Sequence, residues 1–515
     1  MRDIDRRAIE GLGVPSLALM ENAAKAVVSV ILSKAKERLE GKNVIICGKG
    51  NNGGDGLAIA RLLLERGARP VVCLLSREAE LSGDAAAQLG LARRAGVPIQ
   101  EAHGSMEPVK VALEGARLVV DAILGTGTRG AVTGFLAEVI EAVNGSSAFV
   151  VAVDIPSGLS GESLAPTGPA VRADITVTLG FGKPVLFTPE GAPFCGDVVV
   201  KEIGIPEIAS RDIAPAAIAL DEQWAHPFFV PRSPTAHKGS CGRVLLVAGS
   251  AGKAGAAALA ARGALRAGAG LVTVAIPEPA QGALSPLPET MTLPLPATQE
   301  GTLSMDALVP LLDFASQAEA VGIGPGLGSL PETAALIREL YARLPFPMAV
   351  DADALNAFAG NEEPLCRHAG ARLLTPHPGE MGRLAGLGAA EVLASRYDLV
   401  PDKAALWNSV VLLKGFRTLV SDGREPWRIN LSGGPHLAGP GMGDVLTGIV
   451  TTLLARGMSP LDAASLGAWW HGSAGDEAFA RLGGYGLLAS EVADALPVIE
   501  GRLRTRGMGT RDKPG

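Results

Sequence analysis

At 515 residues, with 47% hydrophobic and 19% charged side chains, the chain is too long for one ordinary core and too apolar for disorder, so two or more globular domains are expected. A formal net charge of −7 and no long Lys/Arg run exclude non-specific binding of nucleic acid or anionic membrane. Five cysteines, at 47, 73, 195, 241 and 366, make no C-x-x-C pair, which excludes a disulfide framework or zinc site and fits a reducing cytoplasm.

The N-terminus, "MRDIDRRAIEGLG", is charged rather than signal-like, and no apolar run approaches membrane-spanning length, so no membrane association is expected. Residues 3–39 carry two helical patterns, split near Gly11–Pro15. Strand candidates follow at 43–47, 70–75, 117–121, 148–153 and 174–179, with helical stretches such as "GDGLAIARLLLERG" and "GFLAEVIEAVNG" between them. That alternation predicts a parallel sheet covered on both faces. From about 204 to 240 the chain turns Pro-rich and aperiodic. The reading is therefore a first domain over 1–212, a linker over 213–236, a second domain over 237–502 and a frayed tail over 503–515. In the second domain, strands are expected at 243–249, 271–277, 319–323, 347–351, 371–375 and 409–413, and closing helices near 443–456, 460–480 and 486–496. Both domains are α/β, and no period links them, so the chain reads as a fusion.

"NVIICGKGNNGGDGLAIARLL" places Gly48, Gly50 and Gly53 in a G-x-G-x-x-G pattern between a strand and a helix, the dinucleotide-binding context. A dehydrogenase also needs an acid at the end of the second strand; here that end is Leu75-Ser76-Arg77, and Glu78 comes late. Asn51, Asn52 and Asp55 instead crowd the turn with oxygen ligands. "LVVDAILGTGTRG" sets Asp121 at a strand end before Gly125, Gly127 and Gly130, and "FVVAVDIPSGLSG" does the same for Asp154 and Ser157. Each acid alone could simply cap a turn, and Lys183 in "GFGKP" could be a solvated lysine. Together, the strand ends converge on one crevice.

"GKGNNGGDGLAIAR", "VVDAILGTGTRG", "VDIPSGL" and "TLGFGKPVLFTPEGAPFCGDVVVKEIGIP" resemble the epimerase domain of the NAD(P)H-hydrate repair system, over nearly all of residues 1–205. The resemblance implies a Rossmann-like three-layer sandwich that interconverts the R and S epimers of hydrated NAD(P)H, NADHX and NADPHX. It implies a potassium ion held by Asn52, Asp121 and Ser157, and Asp154 and Lys183 at the reacting ring. Asn51, Asn52, Gly53, Gly54 and Asp55, with Gly125, Thr126, Gly127, Thr128, Arg129, Gly130 and Ala131, would cradle the dinucleotide. The sequence departs from the family at Ala23-Ala24, where Ala-Gly is usual.

"GGPHLAGPGMGDVLTGIVTTLLARG", residues 433–457, puts Gly441-Met442-Gly443-Asp444 at the start of a long apolar helix. Free N–H groups and the helix dipole favour an anion there. An Asp in such a place either caps the first turn or takes a proton from a hydroxyl attacking a phosphoryl group. Gly-x-Gly-Asp resembles the ribokinase-like superfamily. "GIGPGLG", "VDADALNAFAG", "LLTPHPGEMGRLAG" and "VVLLKGFRTLVSDG" are similar to the NAD(P)H-hydrate dehydratases, over about 237–457. That resemblance implies a second three-layer sandwich with Asp444 as base and Gly443 bordering the nucleotide phosphate. Ala256, Gly326 and His377 would contact the hydrate, and Lys414, Gly415, Phe416, Arg417 and Thr418 the nucleotide. ADP is the implied donor, with ATP an alternative and Mg2+ accompanying it, and a homo-oligomer is implied. Pro440 stands where a second glycine is common. The expectation is a bifunctional epimerase and ADP-dependent dehydratase. The alternatives are a ribokinase-like small-molecule kinase, such as a vitamin-precursor kinase, and a first domain that only binds.

Overall fold

Short β-branched runs build the first sheet: β1 (Lys42–Cys47), β2 (Pro70–Leu74), β3 (Ile99–Glu101), β4 (Ala116–Ala122), β5 (Phe149–Val153), β6 (Ile175–Leu179) and β7 (Asp197–Lys201). In this computed structural model, which describes residues 1–128 and 130–508, they pair in the order β3-β2-β1-β4-β5-β6-β7, all parallel. β1 is the first strand in the chain, yet β2 and β4 flank it. The chain therefore reverses its direction of travel there, and the loops after β1 and β4 diverge to open a crevice. Apolar side chains from helices on both faces close two layers of core around the sheet. One covering helix, Ser16–Lys34, has the length and mean hydropathy, 1.4, of a membrane span, although no unbroken apolar run of that length was expected. Inside the domain, Leu19, Val27, Val28 and Ile31 of that helix are buried in the core.

The second sheet contains β8 (Ala217–Leu220), β9 (Arg243–Val247), β10 (Leu271–Pro277), β11 (Met291–Leu295), β12 (Ala320–Ile323), β13 (Met348–Val350), β14 (Arg372–Leu374), β15 (Val410–Leu413), β16 (Leu419–Ser421) and β17 (Trp427–Asn430). Its order is β11-β10-β9-β12-β13-β14-β15-β16-β17-β8, parallel except where β16 runs against both neighbours. A second switch point lies between β9 and β12. The helices Ala254–Arg266 and Met442–Ala455 pack backbone to backbone on this sheet. An added Cβ on Gly448 would meet the Ala260 carbonyl oxygen at 2.0 Å, and one on Gly263 the Val445 carbonyl at 2.4 Å.

The chain divides into two units, Met1–Ala214 and Pro215–Gly515. Two expectations need correction. Residues 213–236 do not form a plain linker: they supply β8 and the helix Glu222–Ala225 to the second unit. An edge strand needs only one partner, so four residues suffice, too few to show a pattern. The closing helix, expected at 486–496, runs Ala489–Met508, so the frayed tail does not begin at 503. Leu496, Ile499 and Leu503 are buried in the core and carry the helix onward.

Candidate functional sites

The first site is a cavity of about 900 Å³ along the carboxyl ends of the first sheet's strands. The turn after β1 enters the helix Asn51–Glu65 with its backbone folded tightly on itself. A Cβ on Gly53 would lie 1.8 Å from the Gly48 carbonyl oxygen, and one on Gly48 would lie 2.0 Å from that of Ile123. Gly50 faces open space, where a ligand can approach the protein backbone closely. Asn51, Asn52 and Asp55 line the cavity, as do Gly125, Thr126, Gly127 and Thr128. Gly53 and Gly54 sit behind it, Gly54 against Met20, while Ala131 packs on Gly168 and Gly130 lies outside the lining. Arg129 lies outside the described residues.

Asp154, at the end of β5, holds a left-handed backbone (φ 68°), a strained state for a residue with a side chain. Its Oδ1 accepts the Leu179 N–H (3.0 Å) and pairs with the Lys183 ammonium. Lys183 is buried and also donates to Thr178 Oγ1 (3.1 Å) and the Leu179 carbonyl (2.9 Å). Burial, with the Asp154 charge, pushes Asp55 well above the ordinary carboxylate range.

Beneath the glycine loop, Asp121 is fully buried, and its Oδ1 accepts the Ser157 hydroxyl (2.5 Å) while Oδ2 accepts the Ser157 N–H (2.8 Å). Burial raises Asp121 to about 6 against those hydrogen bonds. Asn52 donates to the Leu124 carbonyl (2.9 Å), which leaves its buried Oδ1 without a partner. One carboxylate, one orphaned amide oxygen, a hydroxyl and nearby carbonyls fit a weakly hydrated monovalent cation.

The second site is a cavity of about 630 Å³ at the carboxyl edge of the second sheet. Asp444 lies in the first turn of the helix Met442–Ala455, whose N-cap, Gly441, is left-handed (φ 82°). Burial first, then the Asp351 charge, raises Asp444 to about 7, with Lys414 opposing. Asp351 is 1% exposed; Lys414 Nζ donates to its Oδ1 (2.6 Å) and Thr447 Oγ1 to its Oδ2 (2.8 Å). Burial works against the Lys414 charge, but Asp351 and Glu380 (3.7 Å) outweigh it, so its pKa sits above the ordinary value. Gly443 leaves room beside this pair: a Cβ there would be 3.4 Å from Lys414 Nζ.

His377 caps the helix Pro378–Ala385, its Nδ1 accepting the Gly379 N–H (3.0 Å) while its backbone N–H donates to Glu380 Oε2 (2.8 Å). His377, Gly415, Phe416, Arg417 and Thr418 join Lys414, Gly443 and Asp444 in the lining. Ala256 and Gly326 lie outside that lining but face each other, a Cβ on Gly326 coming within 3.0 Å of Ala256 Cβ.

Several lining residues escaped the sequence reading. Met1, Arg2, Asp5 and Met20 come from the N-terminal helices, and Arg2 ties them down through the Thr126 carbonyl (3.1 Å) and Glu162 (3.2 Å). No motif marks them. Asp351 stood inside a recognised motif, "VDADALNAFAG", whose strand-end acid was the available signal. His471 lines the second cavity as a neutral imidazole, lowered to about 4 by burial and then by the Lys414 charge.

Fold and sites define a class: a two-domain α/β enzyme in which a Rossmann-like unit precedes a ribokinase-like one. Residues 16–185 match the family of the YjeF-related protein N-terminus, and residues 244–498 match NAD(P)H-hydrate dehydratase. A bifunctional NAD(P)H-hydrate repair enzyme from Moorella thermoacetica is 42% identical over 507 residues, covering 97% of this chain and 95% of that one. Its Escherichia coli counterpart is 36% identical over 499 residues, covering 96% and 92%. The chain belongs to the family of bifunctional NAD(P)H-hydrate repair enzymes. Among solved structures, the Bacillus subtilis ADP/ATP-dependent NAD(P)H-hydrate dehydratase, co-crystallized with ATP and Mg2+, is 29% identical, covers 56% of this chain and 98% of that one, and gives a TM-score of 0.49.

Proposed function

We propose that the first domain interconverts the R and S epimers of NADHX and NADPHX, and that the second dehydrates the S epimer to NAD(P)H at the expense of ADP. The carrying observation is that each sheet has its own cavity, one with the Asp154–Lys183 pair and one with Asp444 at a glycine-fronted helix start.

In the first cavity, Asp154 and Lys183 serve as the acid/base pair beside the hydrated ring carbon, and the two glycine loops hold the dinucleotide. Asn52, Asp121 and Ser157 would hold potassium, which supplies a fixed positive charge under the phosphates. The orphaned Asn52 oxygen and the buried Asp121 carboxylate support this donor set. In the second, Asp444 takes the proton of the ring hydroxyl as that oxygen attacks the terminal phosphorus of ADP, releasing AMP. The ring then expels phosphate, a far better leaving group than hydroxide, and loss of a neighbouring proton restores the double bond. Gly443 and Lys414–Thr418 line the nucleotide, with ATP as an alternative donor, and Ala256, Gly326 and His377 meet the hydrate. No cluster of three or more His, Cys, Asp or Glu suited to a metal ion occurs among the described residues, so Mg2+ would arrive with the nucleotide phosphates. We also infer a cytoplasmic homo-oligomer; five free cysteines suit a reducing compartment.

The test supplies mixed epimers of hydrated NADH with ADP and follows the absorbance of restored NADH. Near-complete restoration with AMP and phosphate as co-products is expected. Accumulation of a phosphorylated product would overturn the reading.

A further inference from the structure

The first cavity extends well beyond the Asp154–Lys183 pair. Its lining passes from Lys183 after β6 and Asp154 after β5, across the loops after β4 and β1, to Leu75 and Ser76 after β2 and His103 after β3. Six neighbouring strands place its two ends roughly 24 Å apart at ordinary strand spacing. The middle is the N-terminus of the helix Asn51–Glu65, suited to a pyrophosphate, with Lys49 in the same loop. A dinucleotide with its reacting ring at Asp154 therefore delivers its other nucleoside to the ends of β2 and β3.

Those strand ends have a built polar lining. Ser76 is 5% exposed, and its buried Oγ has no hydrogen-bond partner, a costly state that a ligand would relieve. Glu80 and Asp84 share this cavity's lining with it, Glu80 within 3.8 Å of His103 Nδ1. Asp84 occupies the first turn of the helix Gly83–Arg94, so that helix end already carries a carboxylate. Glu78, the acid closest to the strand end in sequence, is committed elsewhere: it pairs with Arg93.

We propose that Ser76, Glu80, Asp84 and His103 form the subsite for the adenosine ribose of the dinucleotide, and that the two carboxylates select a free ribose diol over a 2′-phosphate. This rests on the dinucleotide reading of the first cavity and adds a substrate preference to it. A ribose hydroxyl can donate to either carboxylate, and Ser76 Oγ gains the partner it lacks. A 2′-phosphate would add about two negative charges beside two carboxylates, and like charges so placed oppose binding. Among the described lining residues, Lys49 belongs to the pyrophosphate loop and Arg2 is paired with Glu162, while Arg77, which follows Ser76, is exposed and lies outside the lining.

The test compares epimer exchange of NADHX and NADPHX by the full chain, read by chromatography without ADP. A preference for NADHX of at least about tenfold in kcat/KM is expected. Glu80→Gln with Asp84→Asn should bring the ratio towards one, chiefly by a gain for NADPHX, and Ser76→Ala should raise KM without loss of thermal stability. A wild-type ratio near one, or a ratio that the double variant leaves unmoved, would overturn the proposal. If neither substrate is epimerised, equilibrium binding of NADH and NADPH decides. A wild-type-to-variant difference confined to the first domain keeps the subsite while the epimerase reading fails. Identical binding would reject the subsite too.

Discussion

Asp444 sits between neighbours that pull its proton affinity in opposite directions, with burial and Asp351 raising it and Lys414 lowering it, to about 7. As the proposed base it would work only when ionised, so dehydration should rise as pH climbs through about 7. Asp444→Asn should lose at least about 10²-fold in dehydration rate while still binding nucleotide. Stability should move the other way. The folded state keeps this proton from the ordinary value of 3.8 up to about 7, where the unfolded chain has released it, so stability is lost as pH rises across that window. The Asn variant lacks this loss and should melt above the wild type at pH 8, a gain in stability from a change that removes activity. Asp121 permits a parallel experiment. Above about pH 6 it is ionised and buried, so potassium chloride should raise the melting temperature of the first domain relative to equimolar choline chloride at pH 7.5. At pH 5 the difference should shrink, and Asp121→Asn should remove it. Equal melting in both salts would dismiss the ion site.

Among elements, the helices Ala254–Arg266 and Met442–Ala455 define the second site because the latter carries Asp444 in its first turn. Replacing a helical glycine by alanine ordinarily stabilises by up to about 1 kcal/mol. Gly448→Ala should reverse that sign and cost about 1–3 kcal/mol, since its Cβ would strike backbone atoms of Ala260 and Ala264 rather than a movable side chain. Calorimetry of the second domain's transition measures it. The central strands were readable because burial on both faces leaves nearly unbroken apolar runs, as in β4, β5 and β10. The strands β3, β7, β8 and β11 were not, for they lie at sheet edges and are partly exposed, and neither were the interior strands β16 and β17, whose three and four residues are too few to show a pattern. The site followed the same division. Asp121, Asp154 and Asp444 announced themselves at strand ends or beside glycines, whereas Asp5 and Arg2 reach the cavity only through tertiary packing of helices that carry no motif.

The joining of the two domains in one chain matters because the dehydratase is expected to take one epimer. With pure S-NADHX, Asp154→Ala should restore NADH as fully as the wild type. With an R and S mixture it should stall near the S fraction and creep on at the spontaneous rate, and Lys183→Ala should behave alike. The two variants probe the Asp154–Lys183 pair that lines that cavity. A mixture restored completely at wild-type speed would show that the first domain merely binds.

The parallel pairing of β8 with β17 joins Ala217 to Trp427. The residue that opens the second sheet thus waits about 210 residues for its partner, on the order of 10–40 s at ordinary rates of synthesis. The first domain, whose sheet is complete by Lys201, can fold on the ribosome in that interval. The second cannot close until its penultimate stretch emerges, and long-range parallel pairing is slow to form. During translation, then, the epimerase should mature first, and a chain released after Asn430 but before Met442 would hold a finished first sheet, a newly paired β8 and no Asp444.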